Sequence, residues 1–268
     1  MRPLADFPIE ERRAVRFLLT DIDDTVTEDG RLPAASLEAM ERLSRAGCRV
    51  VPITGRPAGW CDHIARMWPV GAVVGENGAF YFSYDRTLRK MRSAFAKTAE
   101  ERRADRRKLD RLRQRILREV PGAGVASDQD YRISDLAIDH REDVAPLARG
   151  DVERIVALFE AAGAVAKVSS IHVNGWFGDF DKLTMTRRCL ADIFGLDIDA
   201  QNGAVVFAGD SPNDQPMFEF FRNAVGVANV RDFDLASPPR YVTRGRSAQG
   251  FVELAEALLE ARDPGESR

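Results

Sequence analysis

The sequence predicts an α/β protein with a doubly wound, Rossmann-like parallel sheet into which a smaller α+β unit is inserted. Three observations support this fold class. Short apolar runs alternate with amphipathic segments in the first and last thirds of the chain, which is typical of parallel strands joined by helices. The middle third holds two helical segments among short strands, which favours an antiparallel sheet. Acidic motifs follow two apolar runs, where open α/β sheets bind ligands.

The first third alternates three strands with two helices. Leu37, Met40 and Leu43 recur at helical spacing, and Gly47 then ends that helix. The second helix begins with Pro57, a residue that suits the first helical turn. We predict strands at residues 15–20, 49–53 and 70–74, and helices at 36–46 and 57–67.

The middle third predicts a hairpin, two helices and several short strands. Residues 135–140 alternate in the manner of a half-buried strand. Asp151 caps one helix and Gly163 ends it. The predicted elements are a hairpin of 81–83 with 89–92, a long basic helix that ends near 121, a strand at 135–140, a helix at 151–162, and strands at 165–169 and 171–176.

The alternating pattern resumes in the last third. We predict helices at 181–194, 217–221 and 248–261, and strands at 204–208, 225–227 and 241–242. Because the two alternating parts resemble each other and differ from the middle, we expect one core domain from residues 1–82 and 181–268. Residues 83–180 would form the inserted α+β unit.

Composition narrows the class of protein. The hydrophobic fraction is 44%, the charged fraction is 30% and the formal net charge is −3, as in ordinary globular proteins. No apolar run is long enough to span a membrane, and the N-terminus lacks a signal-peptide core. Cys48, Cys61 and Cys189 are odd in number and scattered, which argues against a disulfide framework or a zinc cluster. We expect a cytoplasmic protein without a membrane partner, as a monomer or homodimer.

Residues 86–118 contain fourteen Lys or Arg and four acidic residues. Leu109, Leu112 and Ile116 recur within this segment at helical spacing, which predicts an amphipathic helix with a basic outer face. That face is either a solvated surface that attracts anionic substrates or a nucleic-acid surface. No aromatic residues are interleaved through the helix to stack on bases, so we favour the first interpretation.

An acidic motif, Asp21-Ile22-Asp23-Asp24-Thr25, follows the strand predicted at 15–20. Residues two apart on a strand point to the same side, so Asp21 and Asp23 can share one substrate. Adjacent carboxylates require a cation, or one of them must hold a proton. Both conditions suit phosphoryl transfer assisted by Mg²⁺. Taken alone, acidic residues at a strand end more often belong to a solvated loop or a helix cap.

Three further signals lie near strand ends. Thr54-Gly55-Arg56 offers a hydroxyl, a backbone amide and a guanidinium for a phosphate, although the same residues can simply form a turn. The segment 209–214, Gly-Asp-Ser-Pro-Asn-Asp, supplies hard oxygen ligands of the kind Mg²⁺ prefers, or an Asp-capped turn. Lys182 opens a helix directly after the insert. Their joint position at one sheet edge favours a single ligand site.

Together these motifs closely resemble those of the haloacid dehalogenase superfamily of phosphohydrolases, in the same order along nearly the whole chain. Only 28 residues separate Thr25 from Thr54, whereas 127 separate Thr54 from Lys182. The insert therefore lies in the second possible cap position. Its predicted order and the turn at residues 75–79 resemble the type IIB caps, a group with sucrose-phosphate, mannosyl-phosphoglycerate and Cof-like phosphatases and phosphomannomutase.

The resemblance implies a role for each motif. Asp21 would be the nucleophile that forms an aspartyl-phosphate, and Asp23 the general acid and base. A Mg²⁺ cofactor would be held by Asp21, the main-chain carbonyl of Asp23, and two residues of the last motif, Asp210 and Asp214. The phosphoryl group would be held by Thr54, Gly55, Lys182 and Asn213. Position 24 is often glycine in this family, and Asp24 is expected near the metal without being a ligand.

Substrate selection would fall to the inserted cap. His172, Asn174 and Trp176 alternate on one predicted strand, so they would suit a sugar, although packing of this face against a helix is an equal alternative. Arg56 and Asn77 are secondary candidates. We expect a Mg²⁺-dependent phosphatase for a small phosphorylated metabolite, such as a sugar phosphate. A phosphomannomutase-like phosphotransferase is the first alternative, and a nucleic-acid-binding protein using the basic helix is the second.

Overall fold

The computed structural model describes residues 1–169 and 171–262. Its strands are β1 (Arg2–Pro3), β2 (Phe17–Thr20), β3 (Arg49–Pro52), β4 (Val73–Gly75), β5 (Phe80–Asp85), β6 (Lys90–Phe95), β7 (Gly124–Val125), β8 (Leu136–Asp139), β9 (Val165–Val168), β10 (His172–Trp176), β11 (Val205–Gly209), β12 (Asn223–Gly226) and β13 (Tyr241–Val242). Its α-helices are α1 (Ile9–Ala14), α2 (Ala34–Arg45), α3 (Ala58–Met67), α4 (Ala99–Glu119), α5 (Arg149–Ala161), α6 (Lys182–Phe194), α7 (Gln215–Phe220) and α8 (Ser247–Glu260).

A six-stranded parallel sheet forms the centre of the molecule, in the order β1-β13-β12-β11-β2-β3. Strands β2 and β11 are neighbours although the chain separates them by 184 residues, between Thr20 and Val205. Because parallel strands end at the same edge, the residues that follow β2, β3 and β11 are brought together there. The predicted doubly wound α/β fold is confirmed.

Successive side chains along β2 point to opposite faces of the sheet, and different helices cover the two faces. Leu18 packs with Met40 of α2 and Leu254 of α8. The next residue, Leu19, points to the opposite face and joins a second apolar cluster with Met185 of α6. Both faces of the sheet are therefore covered, which explains the continuous apolar run of β2.

A three-stranded sheet, β4-β5-β6, extends this core. Its strands are antiparallel, and a single parallel bridge between Ile53 and Val74 joins it to the end of β3. Strand β5 continues to Asp85 and pairs along its whole length with β6. The boundary expected between residues 82 and 83 therefore falls inside a strand, and the division of the chain into core and cap domains stays a prediction.

The insert contains an antiparallel sheet in the order β7-β8-β10-β9, as predicted for the middle of the chain. Leu109 and Leu112 of α4 pack beneath it with Ile155 and Phe159 of α5. The basic helix predicted from the sequence is thus present, and its apolar stripe faces the insert core. Helix α4 begins with a reciprocal cap between Thr98 and Glu101.

The structure also contains elements that the sequence did not indicate. Helix α1 is six residues long, too short to display a helical period, and strands β1 and β7 have two residues each. Helix α2 begins at Ala34, directly after Pro33, two residues before the predicted start. No helix among residues 1–169 and 171–262 has the length and apolarity needed to cross a bilayer.

Substitutions at two glycines of the insert test how β10 packs against α5. A Cβ at Gly175 on β10 would lie 2.1 Å from the Phe159 ring, whereas a Cβ at Gly150 on α5 meets nothing within 4 Å. We expect Gly175→Ala to lower the free energy of unfolding by about 2 kcal/mol through overpacking. The matched Gly150→Ala should be neutral or stabilising by up to about 1 kcal/mol, because alanine favours a helix. Urea denaturation measures both, and equal effects would show that β10 does not pack on Phe159 as described.

Candidate active site

Two acidic motifs meet at the carboxyl edge of the central sheet. Asp21 follows β2, and its backbone N–H donates to the carbonyl of Ala208 on β11, 2.9 Å away. Asp210 directly follows β11. The neighbouring positions of the two strands therefore place both carboxylates at one point, as the spacing of the motifs indicated.

Lys182 lies at the centre of this cluster. Its Nζ donates to Asp21 Oδ1 at 2.7 Å and to Asp214 Oδ1 at 2.8 Å. Helix α6 carries this lysine, and Gly78 lets the start of the helix approach the sheet. Gly78 has a φ of +104°, and a Cβ there would lie 2.0 Å from the Asp181 carbonyl oxygen. A side chain at position 78 is therefore excluded on both conformational and steric grounds.

The loop after β11 folds Asp214 back onto the site. The backbone N–H of Asp210 donates to Asp214 Oδ2 at 3.1 Å. A Cβ at Gly209 would lie 2.4 Å from the same oxygen, so glycine is needed for this return. Thr25 and Asn229 donate to the two oxygens of Asp210, each at 3.3 Å.

Asp24 lies at the rim of this cluster with a φ of +56°. That is a left-handed conformation, which favours glycine and which aspartate tolerates better than most residues. The conformation gives a physical reason why glycine suits position 24 and why Asp can replace it. The charge of Asp24 also contributes to the raised pKa of Asp210.

The carboxylates of this site carry more negative charge than the single lysine balances. Burial, together with the charges of Asp214 and Asp23, raises the pKa of Asp21 to about 7 against the opposing effect of Lys182. Burial and the charges of Asp214 and Asp21 also raise the pKa of Asp210 well above its ordinary value. For Lys182, the carboxylates of Asp21 and Asp214 outweigh burial and raise the pKa, so this ammonium stays charged.

The donor set fits a divalent cation. Carboxylate oxygens of Asp21, Asp210 and Asp214 lie within 4.8 Å of one another, and all three side chains are buried. Oxygen ligands of this kind suit Mg²⁺, which takes few carboxylates and retains water. The raised pKa values have the same cause, since clustered buried carboxylates lack sufficient positive charge without a cation.

Two of the four residues predicted to bind phosphate, Gly55 and Asn213, border a small cavity next to Asp21. Gly55, Ser211 and Asn213 line it. Thr54, directly before Gly55, is fully buried and does not line the cavity; its Oγ1 accepts from the backbone N–H of Arg56 at 3.0 Å, which leaves the hydroxyl hydrogen available. Asn213 Oδ1 accepts from Ser211 Oγ at 2.8 Å.

Arg56 makes contacts that the sequence did not indicate. Its guanidinium donates to both carboxylate oxygens of Asp23, the shortest bond being 2.8 Å. It also contacts two acidic residues of the insert, Asp128 at 3.5 Å and Glu142 at 3.1 Å. These ion pairs connect Asp23 to the insert, and because Arg56 also lines the cavity, its contact with substrate stays a prediction.

The three candidates on β10 have different environments. His172 and Asn174 line the cavity. His172 Nε2 lies 2.9 Å from Glu142 Oε2, and Asn174 Nδ2 donates to Asp135 Oδ2 at 2.9 Å. The contact with His172, followed by that with Arg56, lowers the pKa of Glu142 to about 2 against partial burial.

Trp176 is not brought to the cavity. It is 1% exposed, its ring stacks on Phe180 and its Nε1 donates to the Phe180 carbonyl. The interpretation of Trp176 as a surface for a sugar ring is therefore corrected, and the alternative of a packing role holds. The alternation of β10 had indicated a shared face, but Phe180 fills the space in front of its last residue.

Two residues of the turn after β4 connect the core to the insert. Asn77, with a φ of +54°, lies against Gly55 and donates its backbone N–H to the Thr54 carbonyl, so it supports the cavity wall from behind. Glu76 is fully buried, and its carboxylate accepts hydrogen bonds from four backbone N–H groups. These belong to Ala58 (3.0 Å), Ile133 (2.9 Å), Ser134 (2.6 Å) and Asp135 (3.3 Å). In the sequence, Glu76 belongs only to the turn at residues 75–79, and nothing local indicates these contacts because the donors come from distant segments.

Fold and site together describe an α/β protein with an inserted antiparallel sheet and a buried aspartate-lysine-aspartate cluster at the edge of its parallel sheet. A family model described as haloacid dehalogenase-like hydrolase matches residues 18–101. The matched residues extend from β2 to the start of α4, and this part of the chain is similar to haloacid dehalogenase-like hydrolases. The predicted resemblance to this superfamily is confirmed by this match.

Solved structures share this fold at low sequence identity. A Thermoplasma acidophilum protein is 17% identical, with 91% of this chain and 98% of that chain covered and a TM-score of 0.68. The C-terminal domain of trehalose-6-phosphate phosphatase from C. albicans is 14% identical, with coverages of 97% and 98% and a TM-score of 0.71. The sucrose-phosphatase of Synechocystis sp. PCC6803 is 16% identical, with coverages of 92% and 98% and a TM-score of 0.61. No curated protein matches the chain.

Glu76 should make stability depend on pH. Burial and the charge of Asp135 raise its pKa from 4.5 to about 7, so the folded chain holds a proton that the unfolded chain releases. Stability from this group is complete below about pH 4.5 and is lost as the pH rises through about 7. We expect Glu76→Gln to remove about 2–3 kcal/mol of the wild-type decrease in unfolding free energy between pH 5 and pH 8.

Urea denaturation at several pH values measures this dependence. Glu160→Gln, at an exposed position of α5, is the matched control and should retain the wild-type pH dependence. If Glu76→Gln retained it as well, another buried group would have to be its source.

Proposed function

We propose that the chain is a Mg²⁺-dependent phosphatase that releases phosphate from a small phosphorylated metabolite through an aspartyl-phosphate. One observation carries this proposal: the buried ammonium of Lys182 holds Asp21 and Asp214 at 2.7 Å and 2.8 Å, beside Asp210. A single fixed cation among three carboxylates is an arrangement that suits a nucleophilic carboxylate next to a metal and a phosphoryl group.

The cation would be held by the carboxylates of Asp21, Asp210 and Asp214 and by the main-chain carbonyl of Asp23. When bound, Mg²⁺ supplies positive charge that neutralises the approaching phosphate and the carboxylate cluster. Lys182 supplies a second, fixed positive charge, and its hydrogen bond to Oδ1 holds the Asp21 carboxylate in one orientation. Loss of one such stabilising group typically costs on the order of 10²–10³ in rate.

The reaction would proceed in two displacements at phosphorus. In the first, an oxygen of Asp21 bonds to phosphorus, the bond to the leaving oxygen breaks, and Asp23 donates a proton to that oxygen. In the second, water attacks the phosphorus of the aspartyl-phosphate while Asp23 accepts its proton, and the Asp21 carboxylate and free phosphate are regenerated. Thr54, Gly55 and Asn213 would hold the phosphoryl oxygens during both steps.

Arg56 imposes a condition on the first step. Both oxygens of Asp23 accept hydrogen bonds from Arg56, whereas a proton donor must present an O–H to the leaving oxygen. We propose that Arg56 shifts toward Asp128 and Glu142 when substrate enters, since both carboxylates already contact it. The insert would then influence the acid step through Arg56.

Sugar phosphates are the proposed substrate class. The similarity in fold to sucrose-phosphatase and trehalose-6-phosphate phosphatase supports this choice. The nucleic-acid alternative gains no support from α4. Two basic side chains of this region, Lys97 and Lys108, are paired with Asp105, and Arg106 donates to the carbonyls of Arg132 and Asp135.

Phosphate release from a panel of phosphorylated metabolites tests the proposal. We expect the wild type to release phosphate with Mg²⁺ and to lose activity with a chelator. Asp21→Asn should lower the rate by at least about 10³-fold because the amide cannot act as the nucleophile. Asp62→Asn, an exposed position of α3 outside the cavity, is the matched control and should retain activity.

The reaction products distinguish a phosphatase from a phosphotransferase. Free phosphate from one sugar phosphate identifies a phosphatase and its substrate. An isomerised phosphate ester without free phosphate would identify a phosphotransferase. Activity that survives Asp21→Asn would contradict the proposed nucleophile.

A further inference from the structure

A groove next to Asp23 has no part in the chemistry described so far. It lies between the loop after β2 and the outer face of α3, and its volume is about 430 Å³. Trp60, His63 and Ile64 line it at helical spacing on α3, with Trp68 after the helix and Leu32 opposite. Trp60 is 41% exposed, an unusual exposure for an indole beside a reaction centre.

We propose that this groove, which we name the Trp60 groove, binds the leaving-group end of the substrate, and that this end is an uncharged ring with an apolar face. The proposal rests on the proposed function, because it uses the role of Asp23. A general acid must lie within hydrogen-bond distance of the leaving oxygen. Asp23 lines both the cavity at Asp21 and the Trp60 groove, so a leaving group at Asp23 is at the entrance of the groove.

The cavity at Asp21 is too small to hold a ring as well. Its volume is about 20 Å³, whereas a single water already occupies roughly 10–15 Å³ on a comparable measure. His172 and Asn174 border this cavity and therefore can contact only a small group in this arrangement. The remainder of a sugar-sized substrate has to extend into a larger adjoining space.

Two larger spaces adjoin Asp23, and their charge distinguishes them. The cleft between core and insert measures about 780 Å³ and is lined by seven carboxylates and three guanidiniums, including those of Glu28, Asp232 and Arg246. The apolar face of a ring placed there would remove water from charged groups without replacing it. Among the described residues that line the Trp60 groove, Asp23 and His63 alone are ionisable. An uncharged ring that binds in the groove therefore removes the least water from charged groups and buries the most apolar surface.

Trp60 is held in place for this role. The Arg56 guanidinium lies 4.4 Å from the centre of the indole ring, and Glu142 of the insert, toward which Arg56 is proposed to shift, already contacts it at 3.1 Å. At the rim, Tyr131 of the insert approaches Gly59 so closely that a Cβ there would lie 3.0 Å from it. A ring that stacks on a preorganised indole loses less conformational entropy on binding than one that must order it.

Kinetic constants for acetyl phosphate and for ring-bearing phosphate esters distinguish a substrate contact of Trp60 from a purely structural role. We expect Trp60→Ala to raise KM for ring-bearing esters by about tenfold, the order expected for a lost stacking contact, and to change kcat/KM for acetyl phosphate less than about twofold. Trp60→Phe should retain most of the wild-type KM. Met67→Ala, exposed on the same helix but outside the groove, is the matched control. A loss of kcat that is equal for both substrates would show that Trp60 merely supports Arg56, and would overturn the proposal.

A binding measurement tests the groove independently of catalysis. Isothermal titration calorimetry with Mg²⁺ compares benzylphosphonate with methylphosphonate, two phosphonates that cannot be hydrolysed. We expect benzylphosphonate to bind about tenfold more tightly to the wild type, and Trp60→Ala to remove that difference. If this difference is present but no ester is hydrolysed, the groove proposal stands and the proposed function fails. Equal affinities in the wild type, or a difference that survives Trp60→Ala, would overturn the groove proposal.

Discussion

The buried contact of Lys182 with Asp21 and Asp214 is the constraint on which the rest of the structure depends. A buried ammonium is costly unless carboxylates compensate it, and buried carboxylates are equally costly without the ammonium. The three side chains come from β2, from the start of α6 and from the loop after β11. Their contact therefore requires the parallel pairing of β2 with β11, and it requires glycine at positions 78 and 209, where a Cβ would overlap Asp181 or Asp214.

A second buried network joins the insert to this centre. Glu76 binds backbone N–H groups of both parts, and Arg132 donates to the Gly55 carbonyl at 2.9 Å and to Asp128 and Asp135 of the insert. The loop that borders the proposed phosphate site is thus fixed from the insert side. Through Arg56, the same network reaches Asp23, so the position of the insert and the proton-transfer group are physically connected.

Local sequence predicted the parallel sheet and the positions of the motifs. Apolar runs indicate where the strands lie, and the residues that follow each run mark where the strand ends. Asp21 and Asp210 were expected at one edge since parallel strands end together. The ion pairs of Arg56 and the four donors of Glu76 were not predictable, because they depend on how the insert packs on the core. Trp176 was misassigned for a related reason: alternation defines a face of β10 but not what covers it.

The central claim is that Asp21 becomes phosphorylated. The most direct test is mass spectrometry of enzyme acid-quenched during turnover of acetyl phosphate with Mg²⁺. The account predicts a phosphoryl adduct on the peptide that contains Asp21, and none in Asp21→Asn. Phosphate release with an adduct on a different residue, or sustained turnover by Asp21→Asn, would contradict it and would leave the buried contact of Lys182 as a purely structural feature.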